Sequence, residues 1–97
     1  MLHAINKSPF FSNNLESSLR FAKDGDPIML YEDGVYAASA GTKFEPAMKD
    51  ALKKHPVYAI EADVKARGIT KVLDGVYLCD YSCFVGLVEQ HLISSWF

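Results

Sequence analysis

Cys79 and Cys83 are the chain's two cysteines, spaced Cys-x-x-x-Cys where an apolar run gives way to a helical pattern. A thiol pair at such a junction could carry persulfide sulfur, because the positive end of a helix beside Cys83 favours its thiolate. Packing offers a simpler account. Cys79 would fill an apolar strand position and Cys83 would lie beneath the first helical turn, as free cysteines are among the most buried residues. We adopt the packing reading. The spacing matches neither the Cys-x-x-Cys redox motif nor a zinc site with a second ligand pair. Two cysteines are also too few for a disulfide scaffold and fit a reducing, cytoplasmic setting.

A second group of chemically capable residues falls where short apolar runs end: Asn6-Lys7-Ser8, Glu32-Asp33, Glu61 with Asp63, and Asp80. Acids converging on one rim could hold Mg²⁺ through carboxylate and water oxygens. Capping explains each acid separately, since Asp33, Asp63 and Asp80 would each precede a helix whose first N–H groups need acceptors. No metal and no cofactor is therefore expected. His3, His55 and His91 lie far apart, and no nucleophile elbow, phosphate-binding loop or dinucleotide fingerprint is present. No autonomous catalytic site is expected.

Two aromatic clusters, Pro9-Phe10-Phe11 and Trp96-Phe97, call for docking rather than chemistry. A free tail is ordinarily polar and mobile, so terminal aromatics either close the chain's own core or belong to a subunit interface. All five residues are candidates for such an interface.

Four apolar runs would position these residues: Leu2–Ile5, Ile28–Tyr31, Val57–Ile60 and Val76–Cys79. The last three are continuous rather than alternating, as strands buried on both faces of a parallel sheet are. Helical signals fill the intervals. Asn14 to Asp24 carries Leu15, Ser18, Leu19 and Ala22 on one stripe, with Asn13 and Glu16 suited to a capping box and Gly25 to a stop. Further helices are expected over Val35–Ala40, from near Pro46 to Lys54, over Ala62–Arg67 and over Ser82–His91. Asp33-Gly34 could instead mark a hairpin, but Val35 to Ala40 does not alternate like a returning strand. The expected fold is α/β: one domain over residues 1–97, three layers α/β/α, with a mostly parallel sheet of about four strands and right-handed crossovers.

Composition narrows the function. The chain has 97 residues, 49% hydrophobic and 23% charged, with a net charge of −2. Lys53-Lys54 is the only adjacent basic pair, so the clustered cations that hold phosphate backbones are missing and no direct nucleic-acid contact is expected. No apolar stretch approaches the ~20 residues of a membrane span, and the N-terminus has no secretory pattern.

Taken in order, these pieces resemble the TusB/DsrH family of sulfur-relay subunits. The resemblance rests on Leu2-His3-Ala4-Ile5-Asn6-Lys7-Ser8-Pro9, Ile28-Met29-Leu30-Tyr31 and Glu32-Asp33-Gly34-Val35-Tyr36-Ala37-Ala38. It continues through Val57-Tyr58-Ala59-Ile60 with Asp63, Ala66-Arg67-Gly68, Asp80-Tyr81 with Phe84-Val85, and Trp96. It implies a noncatalytic subunit in a heterohexamer with TusC/TusD-like or DsrE/DsrF-like partners. Such a complex passes persulfide sulfur to a TusE/DsrC-like acceptor, and the principal sulfur-accepting cysteine belongs to the TusD/DsrE subunit. The destination is either 2-thiouridine at the tRNA wobble position or, for the DsrH branch, dissimilatory sulfur oxidation. The segment from Asn6 to Ser17 looks closer to DsrH. Some DsrH members carry a cysteine where this chain has Ser18, and a serine hydroxyl cannot hold a persulfide. An isolated chain could form a homodimer through surfaces meant for partners.

Overall fold

The computed structural model describes all residues, 1–97. Its elements in chain order are β1 (Leu2–Ile5), α1 (Asn14–Phe21), β2 (Ile28–Leu30), a 3₁₀ segment (Glu32–Ala38), α2 (Glu45–Lys54), β3 (Val57–Ile60), α3 (Glu61–Ala66), β4 (Tyr77–Cys79), α4 (Tyr81–Gln90) and β5 (Ile93–Trp96). The sheet is parallel throughout, in the order β4-β3-β2-β1-β5.

That order dictates the layers. Right-handed crossovers stepping from β1 to β4 in one direction must lie on one face, and the return from β4 to β5 must lie on the other. Packing agrees. Ile5, Ile28, Leu30, Val57 and Ala59 meet Leu15 of α1, Val35 of the 3₁₀ segment, Met48 of α2 and Val64 of α3. On the opposite face Leu2, Met29, Ile60 and Cys79 meet Cys83, Phe84 and Leu87 of α4, with Tyr31 and Tyr58 at the margin. Ten helical residues span about 15 Å, whereas crossing from β4 to β5 traverses four strand spacings, about 19 Å. One short helix therefore roofs a whole sheet face.

The sheet has five strands rather than about four. Ile93–Trp96 adds to the outside of β1, with Leu2 opposite Ile93 and Ile5 opposite Trp96. As an edge strand with two serines and partial exposure, it lacks the continuous apolar run by which the others are read. β4 is also an edge strand, with Tyr77 and Leu78 exposed and Cys79 buried, so its apolar run does not mean burial on both faces.

Helix boundaries depart from expectation for local reasons. α1 stops at Phe21 because Asp26 accepts the Lys23 N–H at 3.0 Å and folds the following residues into a turn. Asn13 makes no side-chain cap; the Ser12 hydroxyl accepts the Asn14 N–H instead. The segment after β2 is a 3₁₀ helix ending at Ala38, since residues 38–40 leave it to bond with Lys71 and Leu73. α2 begins as its proline predicts, with Pro46 in the first turn. No helix is long and apolar enough to cross a membrane.

Candidate functional site

Cys79 closes β4 and Cys83 lies in the first turn of α4, and the structure joins them as a disulfide with their Cα atoms 5.6 Å apart. The expectation of two free thiols is thus corrected. A strand end followed at once by a helical turn brings residues four apart onto one side, where their sulfurs meet. Cys79 is 2% exposed, as its apolar strand position implies, whereas Cys83 is only partly covered. Asp80 caps α4 by accepting the Cys83 N–H at 2.8 Å. A hollow of about 370 Å³ opens beside the pair, lined by Glu61, Leu78, Cys79, Asp80 and Cys83.

The other acids at strand ends are engaged differently from one another. Asp80 caps as expected, but Asp33 accepts from Arg67 Nε at 2.8 Å and Asp63 accepts the Glu32 N–H at 2.7 Å. Arg67 also donates to the Asp63 carbonyl at 3.3 Å, so two acids and one guanidinium tie the 3₁₀ segment to α3. The hydrogen bond and charge of Asp33 raise the guanidinium pKa above its ordinary value, outweighing its partial burial. Glu32 takes a positive φ of 47° at this junction, and its amide is held by Asp63. These residues build a structural clasp rather than converging on a common cation.

The aromatic candidates separate. Pro9 is buried, Phe10 stacks edge-on against Phe44 at 5.1 Å, and Phe11 is 93% exposed. Phe10, Phe44, Leu15, Leu19 and Ala47 line an open groove of about 530 Å³ with Lys43 and Glu16 at its margin. Trp96 turns inward: it packs on the core beside β1 and donates from Nε1 to His3 Nδ1 at 3.3 Å. Phe97, beyond it, is 74% exposed.

His3 is fully buried, with Nε2 3.0 Å from Asp26 Oδ2. Acceptance from Trp96 at Nδ1 and donation to Asp26 from Nε2 together require the neutral Nε2–H tautomer. Partial burial pushes the Asp26 carboxyl upward. Hydrogen bonds from His3, the Lys23 N–H and the N-terminal ammonium prevail and hold it well below the usual carboxylate range. Ser18, on the inner side of α1, is fully buried and donates back to the Leu15 carbonyl at 2.8 Å. Its position offers no route to a reacting partner.

The feature that motif reading overlooks is the outer surface of α4. No residue of this helix is fully buried. Phe84 and Leu87 face the sheet, while Tyr81, Val85 and Val88, at i, i+4 and i+7, form an exposed stripe 63%, 56% and 40% accessible. Tyr77 and Ile93, on the same sheet face at its two edges, are exposed as well. The signal was present in the sequence: no charged residue occurs between Asp80 and Glu89. An amphipathic surface helix would carry charge on its outer side; this one carries Tyr81, Val85 and Val88 there instead.

A sequence model of the family described as DsrH like protein matches residues 7–93. Protein TusB of Escherichia coli K12 is 36% identical over 92 residues, covering 94% of this chain and 94% of that protein. Protein TusB of Shigella flexneri matches with the same identity and coverage. Among solved structures, the crystal structure of the ychN protein from E. coli superposes with a TM-score of 0.76 over 97% of each chain at 20% identity, a likeness of fold. The solution structure of protein Tm0979 from Thermotoga maritima superposes with a TM-score of 0.63 over 94% of each chain at 30% identity.

Proposed function

The chain belongs to the DsrH-like family that includes TusB, and on that footing we propose that it is a noncatalytic subunit of a sulfur-relay complex, supporting persulfide transfer toward 2-thiouridine at the tRNA wobble position. In this reading residues 1–97 act as one domain in the cytoplasm and hold TusC/TusD-like subunits in a heterohexamer. Those subunits supply the sulfur-carrying thiol and deliver to a TusE-like acceptor.

The observation that carries the reading is the apolar exterior of α4. A sheet face roofed by one helix, itself lined outside by Tyr81, Val85 and Val88, suits burial against a neighbouring subunit. Large aromatic and aliphatic side chains with little charge are what the centre of a stable interface contains. Phe11 and Phe97, exposed on other parts of the surface, are additional contact candidates. Pro9 and Trp96 act from within, by fixing the loop after β1 and the edge strand β5. The lack of persulfide chemistry is supported by Ser18, a hydroxyl that cannot hold a persulfide and that is buried and engaged with the Leu15 carbonyl.

Co-expression with TusC/TusD-like subunits tests the assembly. The expected result is a co-purifying hetero-oligomer that Val85→Asp disrupts while the isolated variant keeps its melting temperature. Failure of the unmodified chain to associate would refute the reading. In a strain lacking its own TusB, the Cys79→Ser/Cys83→Ser variant should restore wobble 2-thiouridine as well as the parent chain does. Restoration by the parent but not by this variant, with the variant still co-purifying with the TusC/TusD-like subunits, would show that the chain's own sulfurs take part. Restoration by neither would turn attention to the DsrH-type role in sulfur oxidation.

A further inference from the structure

We propose that Cys79 and Cys83 form a reversible thiol–disulfide exchange site that couples redox state to the seating of α4, and that its co-reactant is a thiol free of nearby negative charge. The bond spans a junction that has few other fastenings. α4 buries no residue completely and rests on the sheet through Cys83 itself, Phe84 and Leu87, with Asp80 capping its first turn. The disulfide is its only covalent tie to β4 apart from the chain itself. Where the chain works in a reducing cytoplasm, as the functional reading above has it, a disulfide of this kind is transient rather than permanent. The exchange chemistry itself rests on the geometry alone.

Access selects the sulfur under attack. Cys79 is buried beside Leu2, Met29 and Ile60, whereas Cys83 is partly exposed and borders the hollow beside Glu61 and Asp80. A thiolate entering there attacks Cys83 Sγ, forming a mixed disulfide as the Cys79–Cys83 bond breaks. Cys79 leaves as a thiolate and takes a proton from water. A second thiolate then attacks the external sulfur of the mixed disulfide and releases the Cys83 thiolate. The protein gains two electrons and two thiols of the co-reactant become one disulfide. The carboxylates of Glu61 and Asp80 line the approach, that of Glu61 partly offset by Lys65 at 3.4 Å. Anionic thiols are therefore disfavoured relative to cationic ones, more so at low salt than at high salt.

The test uses the isolated full-length chain, so its outcome does not depend on assembly with partners. Under native conditions cysteamine should open the bond, as read by alkylation of both cysteines and mass spectrometry. It should act several-fold faster than 3-mercaptopropionate at low ionic strength, after correction for their rates on an uncharged disulfide, and added salt should narrow the gap. With cystamine, Cys79→Ser should form a mixed disulfide at Cys83, while Cys83→Ser stays unmodified in the native state. Reduction should speed amide hydrogen exchange in α4 several-fold relative to β1, and the double serine variant should match the reduced chain. Opening only in denaturant overturns the exchange site, and equal rates for the two thiols at low salt overturn the charge preference. Unchanged α4 protection after reduction overturns the coupling.

Discussion

Replacing Gly34 by alanine probes the contact that seats the 3₁₀ segment on the end of β1. A Cβ at Gly34 would collide with the Ile5 carbonyl oxygen, lie 2.9 Å from its carbon and 3.5 Å from the Asn6 Cα. The obstacle is backbone, so no rotamer change relieves it. Ile5 cannot move aside, because β1 is paired on both sides, to β2 and to β5, and its carbonyl already accepts the Tyr31 N–H at 3.1 Å. The 3₁₀ segment must lift instead, drawing fully buried Val35 and Ala38 from the core and straining the Asp33–Arg67 clasp. Inserting atoms into a packed core costs about 1–3 kcal/mol, and an unyielding backbone obstacle puts this case near ~3 kcal/mol. For a chain of this size each kcal/mol lowers Tm by about 4–8 °C, giving a drop of roughly 12–24 °C. Gly86, inside α4 with no atom within 4 Å of an added Cβ, is the matched control. There alanine should stabilise by about 0.5–1 kcal/mol through helix propensity. Circular-dichroism melts and urea titrations of the two variants settle the comparison. A Gly34→Ala chain melting with the parent would show that the close approach of Gly34 to β1 does not constrain the fold.

Other outcomes follow from the same contacts. Asp26 has its folded pKa depressed, so its contribution is fully present above the unfolded carboxylate pKa of about 3.9 and is lost as pH falls below that value. Asp26→Asn should flatten this acid limb in stability measured between neutral pH and strong acid; an unchanged limb would show that the His3 and N-terminal contacts contribute nothing there. Trp96→Phe keeps an aromatic on the core but leaves the buried His3 Nδ1 without its donor. A loss of about 1 kcal/mol is expected from an unsatisfied buried acceptor, with ¹⁵N shifts still reporting the Nε2–H tautomer. Val85→Asp should separate assembly from folding, abolishing association while leaving the melt nearly unchanged, since that side chain faces away from the core.

Much of the architecture was legible along the chain because it follows from local chemistry. The apolar runs became β1 to β4 within one or two residues, Pro46 marked the start of α2, and Asp80 capped α4. The family, too, was readable in the ordered set of short pieces. Contacts between distant segments were not. β5 is a strand only because β1 offers it an unpaired edge, and Trp96 points inward only because His3 presents an acceptor 93 residues away. Likewise, the sequence placed two cysteines four residues apart, but a strand ending directly into a helix brought their sulfurs together. Spacing and polarity along a chain determine which elements form and which side of each is apolar. Whether an apolar side is covered depends on how many elements cross that face of the sheet. Here the return from β4 to β5 brings a single ten-residue helix, with no further element laid over it, and that is why the outer stripe of α4 remains exposed.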